Sequence, residues 1–239
     1  MAIEQPASTD PLNSPAHHSM HRIIAVDNSA DVQTITVDSS NVTRIGDADG
    51  SNYTKIEADG TVEFNGDATV VEDVNFEAIL LARAAAAPDQ ISIFGSGNIQ
   101  GLAFDGNNRV EALFGGGEIP HAYKEGSNLA PHIHWMPTTA NAGNVKWFLE
   151  YNWQLNANTF GAPTTVSIVD AATGTAWDNI QTDIASISGT GMLFNSHFVF
   201  RLYRDPNDAE DTYPDDAVLL SIGLHYEIDT VGSRTVNTK

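Results

Sequence analysis

Two imidazoles and an indole fall within five residues in Pro131-His132-Ile133-His134-Trp135. An extended strand turns alternate side chains to opposite faces, so His132 and His134 share one face. Such a pair suits either a metal site or a packed polar surface. His121 lies upstream in Pro120-His121-Ala122-Tyr123, and His197 and His225 lie on later extended segments. Three neutral imidazoles that converge within a β structure can hold zinc, iron or manganese. They can equally hydrogen-bond within a sheet or across a subunit boundary.

The residues around the pair decide between these. A cupin-type metal site needs a carboxylate three or four residues after the His-x-His pair. Here Trp135, Met136, Pro137, Thr138 and Thr139 follow, and no carboxylate comes before Glu150. The expectation is therefore structural: His121, His132, His134, Trp135 and His225 join sheets or sister chains, with no metal, no cofactor and no catalysis. Other chemistry is no better marked. Asp47-Ala48-Asp49-Gly50-Ser51-Asn52 has its glycine at the fourth position, whereas a helix–loop–helix calcium loop needs it at the sixth, so a hairpin turn explains it. The acidic stretch 205–216 reads as a solvated loop. There is no cysteine, no Gly-x-Ser-x-Gly elbow and no phosphate-cradling glycine loop followed by lysine. No carboxylate pair is singled out for glycoside hydrolysis. Trp135, Trp147 and Trp153 fit a sandwich core more simply than a sugar groove.

Charge narrows the partners. The 239 residues carry 31 acidic and 11 basic side chains, a formal net charge of −20, and the basic residues are scattered singly. Phosphate neutralisation needs clustered Lys and Arg, so nucleic acid is not an expected partner. The same field disfavours anionic membranes. No apolar run approaches the ~20 residues of a membrane helix, and residues 1–20 lack the order of a secretory signal. Without disulfides, packing and oligomerisation must supply stability.

Three regions are expected to position these residues. Residues 1–20, with Pro6, Pro11 and Pro15 among small polar residues, read as an extended arm. Residues 21–75 read as a small β-meander with turns at Asp49-Gly50 and Asp59-Gly60. Residues 76–239 read as a jelly-roll-like antiparallel sandwich, so the fold class is all-β. Its strands are expected at 145–154, 164–169, 192–203 and 217–228, each with one apolar and one mixed face. In the last of these, Leu220, Ile222, Leu224, Tyr226 and Ile228 are expected inward, and Leu219, Ser221, Gly223, His225 and Glu227 outward. Residues 78–87 read either as a short helix stopped by Pro88 or as a short strand entering an Ala-rich loop.

Several segments in order carry a resemblance. They are Asn52-Tyr53-Thr54, Ala58-Asp59-Gly60-Thr61, Gly66-Asp67-Ala68-Thr69-Val70, Pro120-His121-Ala122-Tyr123-Lys124-Glu125-Gly126 and Pro131-His132-Ile133-His134-Trp135. Asp211-Thr212-Tyr213 and Asp229-Thr230-Val231-Gly232-Ser233-Arg234 continue the series. Over roughly 50–239 the chain resembles a family of tailed-bacteriophage virion proteins, trimeric β-sandwiches that serve as capsid cement or as parts of fibres. The resemblance implies a trimer on the virion and leaves cement and fibre open. The compact, non-repetitive body and the Pro-rich arm favour a homotrimer on the capsid exterior, assembled in the host cytoplasm and bridging major capsid protein subunits. The resemblance assigns no catalytic residue. The trimer contacts are expected around His121, His132, His134, Trp135 and His225, and the shell contacts around Pro6, Pro11 and Pro15. A fibre or spike module that binds host glycan is the alternative, and a cupin-like metalloenzyme a third reading.

Overall fold

The computed structural model of the chain describes residues 21–25, 33–47, 51–95, 97–107 and 109–239. The expected arm, with Pro6, Pro11 and Pro15, and the Asp49-Gly50 turn lie outside them. The chain divides into two units, 1–69 and 70–239.

The first unit is one five-stranded antiparallel meander. Its strands are β1 (His21–Ala25), β2 (Gln33–Val37), β3 (Thr43–Asp47), β4 (Tyr53–Ile56) and β5 (Val62–Asn65), hydrogen-bonded in sequence order. Asp59-Gly60 turns the last hairpin: Gly60 takes φ +88°, and the Thr61 amide donates to Asp59 Oδ1 at 2.9 Å. Glycine suits that turn because a left-handed φ costs it little. Register places Ile35 beside Ile45 and Thr54 beside Phe64, which makes an apolar stripe across one face.

The second unit is a two-sheet sandwich. Its strands are β6 (Val70–Glu77), β7 (Ala82–Arg83), β8 (Asp89–Ser92), β9 (Gln100–Phe104), β10 (Glu111–Glu118), β11 (Leu129–Pro137), β12 (Asn144–Gln154), β13 (Thr164–Ala171), β14 (Ile180–Asp183), β15 (His197–Arg204) and β16 (Ala217–Ile228). One sheet runs β13-β12-β15-β10-β7; the other runs β14-β11-β16-β9-β8, with β6 also paired to β16. Apart from the β8–β9 and β12–β13 hairpins, every connection crosses between the sheets, which is the jelly-roll-like, all-β architecture expected. The domain boundary is corrected. β6 pairs along its whole length with Ser221–Ile228, so 70–75 belong to the body and not to the meander. Residues 78–87 form a single 3-10 turn (Ala78–Leu80), the two-residue β7 and a loop. Without an N-cap side-chain hydrogen bond, that stretch lacks what a free-standing helix needs.

The core lies between the sheets. Leu102, Leu113, Ile133, Trp135, Trp147, Leu149, Leu202 and Ile222 are fully buried there. Phe104 meets Trp147 edge-on with centroids 5.1 Å apart, and Trp135 meets Trp147 at 6.2 Å. Each such large apolar side chain contributes about 1.5–3 kcal/mol by leaving water. A β-bulge sets which residues reach this core. Register shifts between His134 and Trp135, so His134 opposes Ser221 while Trp135 opposes Leu219. Leu220 is the extra residue. Beyond it the alternation flips, and Leu219, expected outward, is buried. Leu220 instead packs with Ile93, Ala103, Met136, Val218 and Trp177 in a second, smaller apolar cluster.

Candidate functional site

β11, which carries Pro131-His132-Ile133-His134-Trp135, sits near the middle of the six-stranded sheet, between β14 and β16. Its odd positions, Pro131, Ile133 and Trp135, are buried, and its even positions His132 and His134 fall together on the other face. Trp135 is not an interface residue. It has no exposed surface, and its indole Nε1 donates to Thr182 Oγ1 at 2.9 Å and to Asp170 Oδ2 at 3.3 Å. The physical reason is the pleat: in 131–135 the indole lies on the side opposite the imidazoles.

On that side three strands bring donors together. His225, on β16, registers with Asp73 on β6 and with Ala130 on β11. The rings of His132 and His225 stack with centroids 4.3 Å apart and planes 24° apart, and His134 meets His132 edge-on at 5.3 Å. His132 Nε2 stands 3.8 Å from Asp73 Oδ2. One donor atom each from Asp73, His132 and His225 lies within 4.8 Å of the others. Asp183 and Gln181 of β14 register with His132 and His134 on the far flank.

Gly223 makes the arrangement possible. It is the β16 residue directly opposite His132, and a Cβ there would overlap Cε1 and Nε2 of the ring and stand 3.0 Å from Asp73 Oδ1. The His132 ring therefore lies in a notch over bare backbone. That is why it is only 3% exposed although it sits on the sheet's outer face. Glycine weakens a strand interior, and its presence there often marks such a close approach. Burial, followed by the neighbouring His225, holds the His132 imidazolium below the usual histidine range; Asp73 acts in the opposite sense, His134 adds to the lowering and Asp183 opposes it. The neutral ring is the favoured form.

The remaining candidates are elsewhere. His121 lies in a turn where its Nδ1 bonds to Ser233 Oγ and its ring packs against Phe194 at 5.0 Å. His197 begins β15 and is exposed. The acidic stretch 205–216 is partly solvated, as expected, but it is also anchored. Arg204, fully buried, grips Asp211 with Nε at 2.9 Å and Nη2 at 2.8 Å, and donates to the carbonyls of Asp215 and Tyr213. Lys146 holds Asp208 at 2.9 Å and Glu210 at 2.8 Å, and Asn141 holds Asp215 at 2.8 Å. These carboxylates already have partners. Sequence reasoning missed Asp73, which lies some sixty residues before His132. The signal that could have found it is its place in an alternating segment, 67–74, whose partner strand was not yet known.

No protein-family model matches the chain, and no curated protein matches it. Among solved structures, it is similar to an isomalto-dextranase of Arthrobacter globiformis T6 complexed with panose, at 14% identity and a TM-score of 0.39 over 64% of this chain and 23% of that one. It is similar to CBM35 from Cellvibrio japonicus Abf62 at 11% identity and a TM-score of 0.38, over 64% and 92% of the two chains. A Family 11 carbohydrate-binding module from Clostridium thermocellum, in complex with a mixed-linked tetrasaccharide, gives 9% identity and a TM-score of 0.31 over 64% and 87%. The chain spans less than a quarter of the isomalto-dextranase it matches.

Proposed function

We propose that the chain is a non-catalytic binding protein of a tailed-phage particle. In this reading it is a capsid cement subunit that forms a homotrimer on the outer shell and bridges major capsid protein subunits. The observation that carries the reading is how the Pro131–Pro137 region is divided. Its apolar half is used inside the sandwich, while its imidazole half is spread over the outer face of a sheet. A broad sheet face suits contact with another protein surface, whereas small-molecule chemistry calls for a concave pocket. Two further features support assembly. The meander is one layer thick, and its register partners Ile35 and Ile45 are 38% and 41% exposed, so a second layer is needed to cover them. The net charge of −20 suits a surface that faces solvent and not packaged DNA.

The glycan-binding alternative would draw on the other outer face, where Phe148 and Tyr203 stack with centroids 4.7 Å apart. Lys146 caps one ring at 5.2 Å and Arg201 caps the other at 4.1 Å. Those ring faces are taken by cations, which leaves a sugar little aromatic platform.

Light scattering on the purified chain, followed by co-sedimentation with emptied heads and with intact host cells, tests the proposal. The expected result is a mass near three times 25.7 kDa and pelleting with heads alone. A monomer that pellets with neither, or a protein that pellets with cells, overturns it.

A further inference from the structure

The geometry points to a divalent transition-metal site on the outer face of the six-stranded sheet, with Asp73 of β6, His132 of β11 and His225 of β16 as its protein ligands. Two imidazole nitrogens and one carboxylate oxygen suit a borderline ion such as zinc, and the softer imidazole nitrogens disfavour calcium or magnesium, hard ions that take oxygen ligands.

The first support is distance. Two atoms each bonded at roughly 2.0–2.1 Å to a tetrahedral ion stand about 3.4 Å apart. His132 Nε2 and Asp73 Oδ2 are 3.8 Å apart, too far for a hydrogen bond and within a few tenths of an ångström of shared coordination. All three donors fall within 4.8 Å, and Asp73, with its side chain 36% exposed, has room to close the remainder.

The second support is the notch around the ring. His132 is 97% buried, and an ion held at its Nε2 would fix the ring in place. The Gly223 notch gives the ring its room, at a strand position where glycine takes no positive φ and so serves no backbone purpose.

The site would clamp an edge strand to the centre of the sheet. Among the described residues β6 pairs only with β16, whereas an ion shared by Asp73 and His132 would tie β6 to β11 across it. It would leave a coordination position open to water or to a donor from another chain. None of this depends on the particle reading, because a lone subunit would bind the ion.

Untagged protein is stripped with chelator, dialysed and titrated with zinc chloride by calorimetry, with bound zinc counted by elemental analysis and the thermal midpoint recorded. The expected result is about one zinc per chain, a raised midpoint, and loss of both in Asp73→Asn and His225→Ala. These two variants are chosen because their side chains are not core residues; circular dichroism verifies their fold. Cobalt(II) offers a readout free of mutation: a visible ligand-field band saturating at about one equivalent. Substoichiometric zinc, zinc retained equally by both variants, or no cobalt band would each overturn the site.

Discussion

At the scale of single residues, the balance of protonation at His132 decides how the outer face responds to acid. Burial withholds water from the charged ring, and His225 and His134 add like charge when protonated, while Asp73 and Asp183 pull the other way. The net result is a lowered value. In the unfolded chain the same ring titrates near the ordinary ~6.5. A proton therefore binds the unfolded state first. The stability owed to the neutral ring is complete above about pH 6.5 and drains away as pH falls through the lower folded value. Urea midpoints measured with chelator present, at steps between about pH 7.5 and 5.5, should fall with acid in the wild type. His132→Gln should flatten that fall even if it lowers the midpoint throughout. An equal acid slope in both proteins would show that the response comes from other groups.

At the scale of elements, the loop between β15 and β16 shows how an acidic run can be structural. Arg204 and Asp211 have 0% and 1% of their side chains exposed, and the guanidinium also serves the carbonyls of Phe104, Tyr213 and Asp215. Removing one partner of a buried pair strands the other charge, at a cost of about 3–5 kcal/mol. Arg204→Met should therefore lose about that much in urea unfolding, and a loss under about 1 kcal/mol would mean that water re-enters the loop without penalty. Such pairing was invisible in the sequence, because Asp211 looks like any other carboxylate until β15 brings Arg204 beneath it. What the sequence could carry was periodicity. Val145, Trp147 and Leu149 fall inward as their alternation requires, and Ile222, Leu224, Tyr226 and Ile228 do likewise. The alternation failed at Leu219, since a bulge adds one residue without leaving a compositional mark. The site was half legible for the same reason. His132 and His134 share a face by period two alone, but Asp73 and His225 join them only through strand pairing at long range.

At the scale of the whole molecule, charge opposes the assembly proposed above. Each chain carries −20, and only 11 basic residues stand against 31 acidic ones. Bringing three such chains together concentrates like charge, and the resulting repulsion acts over roughly a Debye length, about 30 Å at 0.01 M salt and about 8 Å at physiological ionic strength. Apolar contacts between sheet faces are not screened in this way. Salt should therefore tighten the proposed trimer, in contrast to an interface held by ion pairs, which salt loosens. Sedimentation velocity across about 10 to 300 mM sodium chloride at fixed protein concentration should show the trimer fraction rising with salt. A fraction that falls would identify oppositely charged patches as the glue, and would count against the apolar stripe through Ile35 and Ile45 as the contact proposed to close the assembly.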